Sequence, residues 1–83
     1  MTKPTEKQIR DVLISIAIER GKGATFCPWD AAKRLPLPEP RAFLPDIRAA
    51  SRTLVQEGRL RCTRNGIPVC PGQPGGPIRL GLA

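Results

Sequence analysis

Apolar positions in the first quarter of the chain recur at helical spacing. Ile9, Val12, Leu13, Ile16 and Ala17 form one stripe, and Ile14 and Ile18 widen it. Lys7, Arg10, Asp11 and Glu19 fall on the solvated side. Thr5-Glu6-Lys7-Gln8 has capping-box spacing, in which the Thr hydroxyl and the Gln amide satisfy the first free N–H groups. The pattern predicts a helix from Glu6 to about Arg20, stopped by Gly21, after a frayed lead-in over residues 1–4. So broad an apolar face suits the central helix of a small bundle.

Ala24-Thr25-Phe26-Cys27 is long enough only for one short strand at the edge of a small sheet. Pro28 then opens a second helix that runs through Leu35, with Cys27 at an N-cap where Ser or Thr caps better. Ala31, Ala32 and Leu35 are its inward residues. Pro36-Leu37-Pro38-Glu39-Pro40 is extended, because each proline pushes its predecessor out of the helical region. It reads as a stiff connector, or as a docking peptide for an aromatic groove. Arg41-Ala42-Phe43-Leu44 fits one helical turn, with Phe43 and Leu44 as core candidates.

The stretch Leu44 to Gly58 organises the rest. Pro45 suits the first turn of a helix, Asp46 faces the positive end of its dipole, and Gly58 is a left-handed stop. Ile47, Ala50 and Leu54 make a short apolar stripe with Ser51 close to its line, while Arg48, Arg52 and Gln56 recur every four residues on another face. After Gly58 the period becomes alternating. Asn65-Gly66 predicts a two-residue hairpin turn, which sets Arg64 opposite Ile67, Thr63 opposite Pro68 and Cys62 opposite Val69. Leu60, Cys62, Ile67 and Val69 then share the core face, and Arg61, Thr63 and Cys70 the other. Cys62 and Cys70 point apart in this register, so no disulfide between them is expected. Residues 71–83 read as a Gly/Pro-rich return with Ile78 to Leu82 as a last short strand, against the hairpin or the first helix.

The order helix, strand, helix, helix, hairpin predicts an α+β winged helix-turn-helix: three helices with a small antiparallel β-hairpin wing, in one domain over residues 1–83. The chain also resembles a family of small bacterial proteins of uncharacterised function that are classed as winged helices. The resemblance rests on the first helix ending at Gly21, the Cys27-Pro28 opening, Pro45 with Ile47-Arg48, and Leu54. It also includes Glu57-Gly58-Arg59-Leu60 and the closing Gly76-Pro77-Ile78-Arg79-Leu80. It covers nearly the whole chain and implies the fold. It brings no activity and no binding residues.

Composition narrows the function. At 83 residues the core is close to the lower limit for independent stability. Lys and Arg number 14 against 7 acids, a formal charge of +7, which favours a polyanionic partner. With no histidine and 3 cysteines, neither a Cys-His nor a four-Cys zinc site can form within one chain. The commonest general base is missing, no carboxylates are paired, and no glycine-rich phosphate loop occurs, so we expect neither an enzyme, a cofactor nor a small-molecule substrate. The few cysteines at irregular spacing fit a reducing cytoplasm. No secretory signal or membrane span is expected. Cys70, outward and beside Arg61, is a minor candidate for a redox-sensing thiol.

The charge is concentrated. Arg41 to Arg64 holds six arginines against Asp46 and Glu57. This predicts a binder of double-stranded DNA, a candidate transcriptional regulator, with the third helix in the major groove and the wing on the backbone. Arg48 and Arg52 are the candidate base readers, with Ser51 and Gln56 on phosphate or base edges. Arg61, Arg64 and Asn65 are candidate wing contacts, and Arg41 and Lys33 flank them. The alternative is a protein–protein interaction module without nucleic-acid binding, which would use the proline arm, Trp29 and Phe43. A homodimer built on the first helix suits either, since Ile14 and Ile18 exceed one inward stripe.

Overall fold

The computed structural model describes residues 5–35, 39–71 and 77–83. Helix α1, Glu6–Arg20, starts at the reciprocal cap read from the sequence. The Gln8 N–H donates to the Thr5 hydroxyl at 3.1 Å and the Thr5 N–H to the Gln8 amide oxygen at 2.8 Å. Its buried stripe is Ile9, Leu13, Ile16 and Ala17. Ile14 is half-buried, but Ile18 is 63% exposed and does not widen the inward face. An α-helix turns about 100° per residue, so a stripe centred on residues 13 and 16 carries residue 18 past the rim.

Strand β1, Thr25–Phe26, is two residues long, yet Phe26 is fully buried. Helix α2, Pro28–Arg34, follows, and its cap is better than Cys27 alone suggests. The Cys27 N–H donates to Asp30 Oδ2 at 3.1 Å. Ala31 and Ala32 are both buried and let the helices approach closely. Of the proline arm, residues 36–38 lie outside the described residues. A 3-10 turn, Pro40–Phe43, leads into helix α3, Leu44–Gln56.

Helix α3 buries Ile47, Ala50, Ser51 and Leu54. It ends in a Schellman arrangement: the Gly58 N–H donates to Val55 O at 3.0 Å and the Arg59 N–H to Leu54 O at 2.9 Å. The chain then enters strand β2, Leu60–Arg64, and returns through Asn65 and Gly66 to strand β3, Ile67–Pro68. Both turn residues have positive φ, 53° and 81°, as a type I′ hairpin requires. The register is the one the turn dictates, with Thr63 opposite Pro68 and Arg64 opposite Ile67.

Strand β4, Arg79–Leu82, pairs on both sides, and the four-stranded antiparallel sheet has the order β1-β4-β2-β3. Leu80 lies beside both Cys62 and Phe26, and Gly81 beside both Arg61 and Thr25. The face that packs against the helices therefore carries Leu60, Cys62, Leu80 and Phe26, all buried. Ile67 falls on that face too but is 65% exposed, against the expectation that it joins the core. It lies at the far end of the hairpin, where the two strands run past the body. The result is an α+β fold of three α-helices and one antiparallel sheet. No helix among the described residues is long and apolar enough to cross a membrane.

Candidate nucleic-acid interface

On α3 the outward line is Pro45, Ala49, Arg52 and Gln56, all exposed. Arg48 is half-buried and sits on the flank that turns toward the wing, together with half-buried Val55. Asp46 projects from nearly the opposite flank, two residues away round the helix. Ser51 is not a contact residue. It is 0% exposed, and its hydroxyl donates to Ile47 O at 2.8 Å. Its place between Ile47 and Leu54 on the apolar line carries it inward, and the bond within the helix satisfies the buried hydroxyl.

The two β2 arginines part company. Arg64 alternates with Leu60 and Cys62, so it lies on the inner face of the sheet beside α3, and it is half-buried. Its Nε and Nη2 are shielded from solvent and have no hydrogen-bond partner among the described residues. Arg48 and Arg64 both act on Cys62. Burial pushes the Cys62 thiol above its ordinary value, Arg64 pulls it back, Cys70 adds to the push, and Arg48 pulls it back further. Both guanidinium groups are thus within electrostatic reach of Cys62.

Arg61 is on the outer face instead, across from Gly81, and its Nε donates to Leu82 O at 3.3 Å. Gly81 makes room for it, since a Cβ there would come within 3.2 Å of Arg61 Nε and 2.9 Å of Ala24 O. Arg79 shares that outer face and donates from Nε to Thr25 Oγ1 and from Nη2 to Thr25 O, each at 3.2 Å. Arg79 is a further outward cation on this face, and its place between buried Ile78 and Leu80 is the signal for it in the sequence. Asn65 is exposed at the hairpin turn. Arg41 is exposed on the 3-10 turn and lines a shallow groove with Trp29, Glu39 and Ala42. Lys33 is exposed on α2 and pairs with Asp30 at 3.4 Å.

Asp11, Glu19, Asp30 and Glu57 are engaged with other cations. Arg10 holds Glu57 at 2.7 Å, and Lys7 holds Asp11 at 3.2 Å. Arg34 forks onto both oxygens of Glu19, with one of the two bonds at 2.7 Å. That side-chain bond holds the Glu19 carboxyl below its usual value and Arg34 above its own. Asp30 faces Lys33 and, at 3.9 Å, Arg20. Burial raises its carboxyl, but the Cys27 N–H and the Lys33 bond outweigh that and leave it lowered. These pairs join α1 and α2 to each other and to the end of α3. None of the ion pairs among the described residues involves Arg48, Arg52, Arg61 or Arg64.

All three cysteines are free, and the described residues hold no cluster of three metal-ligating side chains. Cys70 is half-buried and near Cys62, while the Arg61 proposed as its neighbour is tied to Leu82 O. No curated protein matches the chain. A family model described as "Protein of unknown function (DUF3253)" matches residues 6–83.

Proposed function

The chain belongs to the DUF3253 family, whose function is unknown, so membership brings no activity with it, and we propose from the chain's own surface that it binds duplex DNA. The order α1, β1, α2, α3 and a β2-β3 hairpin is what a winged helix-turn-helix requires. In this reading α3 enters the major groove and the wing lies on the backbone. The supporting observation is the separation of charge. Asp11, Glu19, Asp30 and Glu57 are held by cations, whereas Arg48, Arg52 and Arg64 take part in no ion pair among the described residues. Arginines without such a partner are the ones available to neutralise phosphate.

Roles follow from placement. Arg52 and Gln56 stand on the exposed line of α3 and are the base-facing pair. Arg48, turned toward the wing, goes with Arg64 and Asn65 to the backbone. Arg61 keeps the outer face of the wing, and Arg41 and Lys33 remain peripheral. Ser51 has no part.

The test is fluorescence anisotropy with a labelled random-sequence duplex over a range of salt. Neutralising four to six phosphates gives a slope of log affinity on log salt of about −4 to −5. Undetectable binding at low salt overturns the reading, and equal affinity for every sequence removes only base recognition. A second reading, an interaction module for another protein, is favoured by the groove of Trp29, Arg41 and Ala42. Trp29 and Phe43 are each half-buried, so their exposure does not choose between the two. Undetectable duplex binding by the wild type, together with loss of a protein partner in a Trp29→Ala variant, decides for that second reading.

A further inference from the structure

We propose that the inner face of β2 beside α3 binds a tetrahedral oxyanion, with the withdrawn edge of Arg64 as the bidentate ligand and Arg48 as the second cation. The inference rests on the DNA reading only for the source of the oxyanion, a phosphodiester of the duplex backbone. Nε and Nη2 form one edge of the guanidinium, and their N–H bonds run parallel, matched to two oxygens of one phosphate. In Arg64 this edge is withdrawn from solvent and meets no acceptor among the described residues. A buried charged donor without an acceptor is costly, so the edge is built for a group that arrives with its own negative charge.

The neighbours do not fill that role. Cys62 is the nearest polar group on the strand's inner face, and burial keeps its thiol protonated, which makes it a weak acceptor. Glu57 is held by Arg10 at 2.7 Å, and Asp46 projects from the opposite flank of α3. Arg48 adds a second positive charge and no ion pair among the described residues neutralises it. Arg64 as a whole residue is only half-buried, so part of its side chain already reaches the surface.

The test is nitrogen-15 NMR on the full chain, following the arginine Nε–Hε signals, with inorganic phosphate in one titration and a short random-sequence duplex in another. Arg64→Lys keeps the charge and loses the fork; Arg64→Gln loses both. The expected result is a shift of the Arg64 Nε–Hε signal with duplex, at a concentration far below that needed with phosphate. Arg64→Lys should weaken duplex binding at least about five-fold, and Arg64→Gln should also lower the salt slope by about 1. Unchanged backbone signals in α1 and β4 check that both variants are folded. If duplex moves α3 signals and leaves Arg64 still, the oxyanion site is overturned while the DNA reading stands. If phosphate moves Arg64 and duplex does not bind, the site stands with free phosphate as its ligand and the DNA reading falls. If neither probe moves Arg64, or both variants bind like the wild type, the site is overturned.

Discussion

Ser51 and Arg52 are adjacent in sequence and opposite in fate. A step of about 100° round α3 takes the chain from a fully buried hydroxyl to an exposed guanidinium. Ser51→Ala removes one bond to Ile47 O and should cost about 1 kcal/mol of stability or less, measured by urea denaturation, with duplex affinity unchanged. Arg52→Ala should show the reverse: stability within about 0.5 kcal/mol of wild type, and binding weakened by about 1–3 kcal/mol if the side chain reads a base. The position of Ser51 was legible, since it stands close to the line of Ile47 and Leu54, but a polar residue between apolar ones invites a surface role. Arg64 was legible in the same way through its alternation with Leu60 and Cys62. What the sequence could not supply is depth. Alternation assigns a face of the sheet, and only the reach of α3 over that face decides that Cys62 is buried, Arg64 half-buried and Ile67 exposed.

At the scale of single elements, the start of α2 and the middle of β4 depend on one side chain each. Asp30 accepts from the Cys27 N–H and faces Lys33, and its carboxyl is held below the ordinary value of 3.8. Its contribution to stability is therefore complete above about pH 4 and is lost as the pH falls through the lowered value. Asp30→Asn should flatten the loss of stability in that acid range, read as urea midpoints between about pH 3 and pH 7. Gly81 is constrained by approach: a methyl group there would stand 2.9 Å from Ala24 O. Gly81→Ala should destabilise by about 1–3 kcal/mol, because the backbone at Ala24, just before β1, must move and Arg61 must leave its place over the strand. The elements with local signatures were read correctly. The Thr5 box, the Gly58 stop and the Asn65-Gly66 register each depend on residues within a few positions of one another. The pairing of β1 with β4 depends on residues over fifty positions apart and had no such signature.

At the scale of the whole molecule, carboxylates held in ion pairs and arginines outside the ion pairs of the described residues occupy different regions, and an edge strand lies among those arginines. Ile67 and Pro68 are both exposed, and β3 has a partner strand on one side only. Amide exchange should be fast at residues 65–67 and slow at Leu13, Ile16 and Leu80, and duplex should slow the former without changing the latter, as read by exchange mass spectrometry. Wing protection that appears equally with a neutral polymer would count against a nucleic-acid partner. One topological fact reaches beyond binding. The strand that comes last in chain order takes an interior place in the sheet, and β1 finds its partner nowhere else among the described strands. Residues 79–82 are translated after the helices and the hairpin. Without them Phe26 and the flank of β2 lack their partner strand. Closing of the sheet therefore falls to the last of these strands to be made.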